Sequence, residues 1–440
     1  MLAIAVVMLL ALSPGAAYGG WWRYLGPDLV SASPAGDPGD GSSRGISISY
    51  DGRCVAFDSR ASNLSPDDQN TFYDGERDVF VRDTIASTTY LASKTPSGAL
   101  EPDRGARSSA MSKCGRYVGI YTGCDMVPED TNGEQDVYLR DMATEEYTLL
   151  DPLGDGPPMG DNVDEIRISG DGQFVTIEVR WDGILPGDTN GRTDVYGWSV
   201  ATDQFVWVSE TPTSALETDC GARCAGVSDD GRYVGIYTGR DMVPEDTNGE
   251  QDLNIRDMET GEYTYADITG DGSSPGDRLE DMQMTGDGAF VVFTTDVDLV
   301  PDDGNGRSDV YVWSVIDERL IWASETPETA LSPDRGARSG TISDDGMLVA
   351  FFSGRDHVED DTNDAQDVYV RDMATGKFER VIVTADGSSP GSEIYDLSLS
   401  GDGDWLAFSW EQGRDIRSLG AAYYDPAGTG DVSPAEAISD

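Results

Sequence analysis

The sequence predicts an all-β fold: a seven-bladed β-propeller of four-stranded antiparallel blades, with the last blade closed by strands from the N-terminus. Three observations predict it. First, an apolar alternation, a Ser-x-Asp-Gly tetrad and a second apolar run recur along the 440 residues, with the tetrad glycines at Gly52, Gly115, Gly172, Gly231, Gly288, Gly346 and Gly403, 57 to 63 residues apart. Second, each of the first six copies is followed by another strand pair, such as those opened by Asp136-Val137-Tyr138 and by Asp367-Val368-Tyr369. Third, the seventh copy stops after its second strand, and two short strands stand at the other end of the chain, around Gly26-Pro27-Asp28.

Asp-Gly between two β-rich runs is a hairpin signal, because glycine accepts the positive φ of the turn. It joins the first two strands of each unit. A further turn joins the third and fourth, and four antiparallel strands repeated around a circle make a propeller. Blade cores are expected to start near residues 46, 109, 166, 225, 282, 340 and 397, within one domain spanning 21–410. Residues 21–33 are expected to complete the last blade, since an open circle would leave two exposed strand edges. Trp21 and Trp22 are then structural. The alternative count is a six-bladed propeller plus extra strands. Residues 411–440 read as an acidic, partly disordered extension.

The copies also alternate. Copies two, four and six carry a Gly-Ala-Arg loop before the first strand, ending in Arg107, Arg223 and Arg338. Copies three, five and seven have Asp-Gly connectors there instead, so the unit of recent duplication was two blades. The units resemble the WD-repeat-like propeller repeats of the TolB-like superfamily, in the form S-x-D-G-R-Y-V-A-F with D-T-N-G-x-x-D-V-Y-V-R-D after it. The resemblance covers nearly all of residues 21–410. It implies a protein-interaction module of the cell envelope, or a non-catalytic domain attached to an enzyme. Function nevertheless sits in sites grafted on folds.

Composition narrows the classes. Thirty basic and 82 acidic residues give a formal net charge of −52. That excludes a general nucleic-acid binder, which needs a basic surface to displace counterions. Lys94, Lys113 and Lys377 are the only lysines, and a surface rich in Asp and poor in Lys resembles that of a halophile's protein. Such a surface self-repels in dilute buffer and is screened at molar salt. Plentiful apolar residues in periodic runs exclude a disordered chain. Residues 1–17 read as a signal peptide: the apolar run from Leu2 to Leu12 is too short to span a bilayer, and Gly15-Ala16-Ala17 supplies a cleavage site. The chain is therefore expected outside the cell or at its surface or envelope, with no membrane span.

The best site candidates are the loops before the third strands, D-x-N-G-x-x-D. They comprise Asp130, Asn132 and Asp136; Asp188, Asn190 and Asp194; Asp246, Asn248 and Asp252; Asp303, Asn305 and Asp309; and Asp361, Asn363 and Asp367. Carboxylate and amide oxygens two residues apart, a glycine bend and a closing aspartate suit a hard cation, and calcium is the expected cofactor. The pattern resembles the second half of the calcium loops in integrin α-chain propellers, but lacks their first aspartate. Turn chemistry is the alternative, because Asn-Gly makes turns and Asp caps them. Arg107, Arg223 and Arg338 fall on the same face and form a possible ligand face, suited to bidentate bonds with carboxylate or phosphate. The alternative is that they bridge neighbouring blades through an aspartate.

No catalytic residue is expected. His357 is a lone histidine, no His/Cys cluster suits zinc, and the three Gly-x-Ser-x-Gly runs lie in connectors rather than at a strand-to-helix turn. Cys54, Cys114, Cys124, Cys220 and Cys224 are odd in number and imply no disulfide framework, although Cys220 and Cys224 share one loop. The expected function is a non-catalytic exported scaffold for a protein partner or a surface polymer. A carbohydrate-active enzyme using central-channel carboxylates and a structural unit of a surface assembly are the alternatives.

Overall fold

The computed structural model describes residues 21–23, 30–68, 77–96, 105–107, 110–131, 134–150, 163–180, 184–185, 187–211, 221–247, 251–266, 268, 279–325, 336–359, 361, 365–381, 394–411 and 417–425, with side chains from Val30 to Ser409. The expected signal peptide lies outside them. All the regular elements are strands. After β1 (Trp21–Arg23), a first blade comprises β2 (Ser43–Ile48), β3 (Cys54–Ser59), β4 (Asp78–Asp83) and β5 (Thr88–Leu91). A second comprises β6 (Ala106–Arg107), β7 (Tyr117–Thr122), β8 (Asp136–Asp141) and β9 (Tyr147–Leu149). The third is β10 (Val163–Ile168), β11 (Phe174–Val179), β12 (Asp194–Ser199) and β13 (Gln204–Trp207). The fourth is β14 (Ala222–Val227), β15 (Tyr233–Thr238), β16 (Asp252–Asp257) and β17 (Tyr263–Ala266). The fifth is β18 (Glu280–Met284), β19 (Phe290–Thr295), β20 (Asp309–Ser314) and β21 (Arg319–Trp322). The sixth is β22 (Ala337–Ile342), β23 (Leu348–Ser353), β24 (Asp367–Asp372) and β25 (Phe378–Val381), and the chain closes with β26 (Ile394–Leu399), β27 (Trp405–Glu411) and β28 (Arg417–Asp425).

The expectation of seven blades, the last closed by two N-terminal strands, is corrected. Six blades are built of four consecutive strands, so the six-bladed alternative with extra strands is the closer reading. The extra strands form a composite sheet in the order β1-β28-β27-β26. Its third strand is β28, beyond residue 410, and the N-terminus supplies only β1, through Trp21 opposite Asp425 and Arg23 opposite Tyr423. The reason is that β28 lacks the opening aspartate shared by the other third strands, so the repeat hides it.

The chain divides into two compact units: Met1–Lys94 with Gly105–Ser109 and Thr326–Asp440, and Thr95–Arg104 with Ala110–Glu325. In the second unit, Leu139, Ile166, Ile168, Val175, Ile177 and Trp198 belong to one apolar cluster between the second and third blades. Leu253, Ile255, Met284, Val291, Phe293 and Trp313 belong to another between the fourth and fifth. Third strands β4 and β20 are buried along their whole length, because sheets cover both of their faces.

The tetrad has a local cause in each copy. In the fourth blade Ser228 Oγ donates to Asp230 Oδ1 at 2.8 Å, and Asp230 Oδ1 accepts from Arg232 N at 3.0 Å. Ser228 Oγ also accepts from Tyr233 N at 2.9 Å, which starts the second strand. The same set recurs at Ser169 and Asp171 and at Ser343 and Asp345. Cys114 replaces the aspartate in the second blade, with Sγ 3.2 Å from Ser112 Oγ. Gly231 has φ +70°, and a Cβ there would strike the Phe174 side chain of the preceding blade. The glycine therefore serves both the turn and the packing between blades.

The turns are stitched to one another through backbone bonds. In the second unit Asp171 N donates to Asp229 O at 2.9 Å, and Asp229 N donates to Gly286 O at 2.7 Å. The Asp229 side chain lies against Gly170 and Gly286, where any side chain would collide with its carboxylate. In the first unit Asp344 N donates to Gly401 O at 2.9 Å, and Asp402 N to Tyr50 O at 3.1 Å. From the second copy on, the tetrad's second position thus alternates between a larger residue (Lys113, Asp229, Asp344) and a glycine (Gly170, Gly286, Gly401), which gives the two-blade register a steric meaning.

Candidate functional site

The loops before the third strands are held in place by the strands they lead into. Asn132, Asn248 and Asn363 lie outside the described residues. The ten loop aspartates are all buried, none more than 4 % exposed. The opening aspartate accepts a hydrogen bond from a tyrosine two residues into the third strand: Asp130 from Tyr138, Asp188 from Tyr196, Asp303 from Tyr311 and Asp361 from Tyr369. In the fourth blade Asn254 holds the tyrosine's place.

The third and fifth blades show the rest of the loop. Asn190 Oδ1 accepts from Arg192 N at 2.8 Å, which turns Nδ2 onto Asp194 Oδ2 at 2.8 Å. Asn305 repeats this with Arg307 N at 2.7 Å and Asp309 Oδ2 at 2.9 Å. Each asparagine therefore offers the closing aspartate a hydrogen. Asp194 Oδ1 accepts from Trp207 Nε1 at 2.9 Å and Ser209 Oγ at 2.7 Å, and Asp309 Oδ1 accepts from Trp322 Nε1 at 2.8 Å and Ser324 Oγ at 2.6 Å. Burial pushes the Asp303 carboxyl up to about 6, with the charges of Asp309 and Asp298 adding to it and the Tyr311 hydrogen bond opposing. Among the described residues, no group of three or more acidic, histidine or cysteine side chains is arranged to hold a metal ion.

Arg107, Arg223 and Arg338 each stand second in a first strand, after the buried Ala106, Ala222 and Ala337. All three are exposed, and none forms a hydrogen bond or ion pair with a described residue. A blade-bridging role belongs to another arginine. Arg240, in the loop after β15, reaches Asp194 of the preceding blade, with Nη1 2.6 Å from Oδ1 and Nη2 3.2 Å from Oδ2. This pair is almost wholly buried, at 4 % and 0 % side-chain exposure. Arg240 is thus the positive charge that answers Asp194.

Sequence reasoning missed Arg240 and the tyrosine partners. The signal for the tyrosines was present in the repeated Asp-Val-Tyr opening; for Arg240 it was the Gly-Arg-Asp run after the second strand. His357 is packed among Phe351, Tyr369 and Phe378, with Nε2 3.1 Å from Ser353 Oγ. Cys224 is a buried free thiol.

This architecture is that of a β-propeller protein. No protein-family model matches the chain, and no curated protein matches it. Solved propeller structures do. A prolyl endopeptidase is 14% identical at a TM-score of 0.53, over 90% of this chain and 51% of that one. An oligogalacturonate lyase in complex with manganese is 12% identical at a TM-score of 0.51, over 97% and 99%. TolB from Acinetobacter baumannii is also similar, at 12% identity and a TM-score of 0.38, over 69% of this chain and 61% of TolB. At such identities the likeness concerns the fold alone. No helix among the described residues is long and apolar enough to cross a membrane.

Proposed function

We propose that the chain is a non-catalytic propeller scaffold, exported to the cell surface or envelope, that binds a protein or a surface polymer presenting carboxylate or phosphate groups. The observation that carries this reading is the placement of Arg107, Arg223 and Arg338. They are exposed and make no ion pair with a described residue, in a chain of net charge −52. Exposed arginines without an ion pair to a described residue are suited to bidentate recognition of an external anion. In the third and fifth blades the closing aspartates Asp194 and Asp309 are engaged by the scaffold itself, whereas in the fourth blade both carboxylate oxygens of Asp246 and Oδ1 of Asp252 are buried and accept no hydrogen bond from a described residue.

The test compares capture from a cell-envelope fraction, at molar salt, by the wild-type chain and by the triple variant Arg107→Ala, Arg223→Ala, Arg338→Ala. The expected result is a defined partner retained by the wild type and weakened about tenfold in the variant, a loss of about 1.4 kcal/mol. Equal capture by both would remove the three arginines from this reading. The carbohydrate-active alternative is favoured by one observation, the convergence of Glu165 and Glu178 on one cavity. Incubation with acidic and neutral oligosaccharides is expected to leave them intact; cleavage would assign the chain to that class instead.

A further inference from the structure

The third blade departs from the repeat at several neighbouring positions. Where other second strands have Tyr121, Tyr237 or Phe352, β11 has Glu178. Where other first strands have Ser47, Gly226, Gln283 or Thr341, β10 has Arg167. Two residues before it stands Glu165, whose Oε1 is 2.9 Å from Arg167 Nη2. The first blade has Asp58 at the place of Glu178, so what is particular to the third blade among the described residues is the arginine at its place in the first strand, Arg167, set beside that carboxylate.

Glu165, Arg167 and Glu178 converge on a cavity of about 190 Å³, also lined by Arg223 and Cys224 of β14 and by Leu279, Glu280, Asp281 and Met282 at β18. Both signs line it: Glu165 and Glu178 stand beside Arg167, and of charged groups β18 contributes carboxylates only. The guanidinium groups come from β10 and β14. Arg167 Nε is buried without a hydrogen-bond partner, and Arg223 has no ion pair with a described residue. The two carboxylates of β18, Glu280 and Asp281, are exposed. Asp281 holds a positive φ of 50°, a sparsely populated backbone state for a residue with a side chain. Leu279 and Met282 are buried and apolar. Glu178 is fixed by Cys224 N, which donates to its Oε1 at 2.5 Å. The Cys224 thiol is pushed up to about 11 by burial and is no nucleophile.

We propose that this cavity binds a small zwitterion of the amino-acid class. Arg167 and Arg223 take its carboxylate, Glu280 and Asp281 take its ammonium group, and Leu279 and Met282 cover its carbon frame. A simple anion would meet the acids of β18, and a simple cation would leave Arg223 unanswered, so a ligand carrying both charges matches the lining better than either. At about 30 Å³ per water, the volume equals about six waters, which suits an amino acid of similar atom count.

The proposal shares Arg223 with the proposed function, so the experiment also uses Glu280→Gln. The full chain, in the salt that keeps it folded, is titrated calorimetrically with L-alanine, propionate and ethylammonium. L-alanine is expected to saturate, with either single-charge compound at least about tenfold weaker. Arg223→Ala and Glu280→Gln are each expected to weaken L-alanine by about tenfold without shifting the melting temperature, because both side chains are exposed. No saturable heat from L-alanine, propionate binding as tightly as L-alanine, or unchanged binding in both variants would overturn the proposal. Loss in Glu280→Gln with unchanged partner capture would separate this site from partner binding by the arginines.

Discussion

At Gly231 one hydrogen atom decides both a turn and a contact between blades. A methyl group there must adopt a left-handed backbone, which costs roughly 1–2 kcal/mol, and must also displace the Phe174 side chain. Gly231→Ala is therefore expected to lower stability by more than about 2 kcal/mol in denaturant unfolding, whereas Gly261→Ala, at an open turn of similar φ, pays the backbone term alone. Glu178 acts at the same scale through its proton. Burial raises it to about 7, with the neighbouring Glu165 charge adding to the shift. An unfolded glutamate titrates near about 4.3. Between those values the unfolded chain has released a proton that the folded chain keeps, so stability falls as pH rises through the window and levels off above it. Glu178→Gln is expected to flatten that slope in melting curves recorded across the window; an unchanged slope would show that another group sets it.

The element that joins blades is the loop after the second strand. Arg240 and Asp194 are buried together, so Arg240→Ala leaves a carboxylate stranded, at a cost of about 3–5 kcal/mol. The double change Arg240→Met with Asp194→Asn should recover much of that loss, since it removes both charges. The closing aspartates also bear on cation binding, because Asp194 and Asp309 already accept from tryptophan, serine and asparagine donors. Adding calcium after chelation is accordingly expected to leave the melting temperature unchanged, and a rise would assign the loops to cation binding. The hairpins, the third strands and the alternation were legible because each is repeated. Glu165, Arg167 and Glu178 were not singled out, because a reading tuned to what recurs passes over the one copy that differs. Arg240 was passed over for another reason: its partner lies in a different repeat, 46 residues away, and sequence spacing does not show which loop crosses to which blade.

At the level of the whole molecule, charge and protonation act in one direction. Buried carboxyls at Asp402 and Glu379 are raised to about 6 and about 7, and Asp404 to about 9, in each case mainly by burial. Each adds to the loss of stability as pH rises from the ordinary carboxylate range toward its own folded value. Exposed pairs such as Arg116 with Asp141, whose carboxyl the arginine holds down to about 2, are lost only under strongly acid conditions. The net charge of −52 repels itself at every pH above that range. Raising sodium chloride toward molar concentration, where the screening length is about 3 Å, is expected to raise the melting temperature and to flatten its decline with pH. A melting temperature indifferent to salt would count against the halophile-like reading. The composite sheet is the part of this scale that sequence periodicity obscured, because β28 carries none of the repeat's marks.

That sheet also sets a timetable. Residues 21–23 are made about 400 residues before their partners at 423–425. While the strands between them are being made, β1 lacks this partner. The pairing thus waits for all the intervening blades, and a chain interrupted before β28 would leave β1 unmatched.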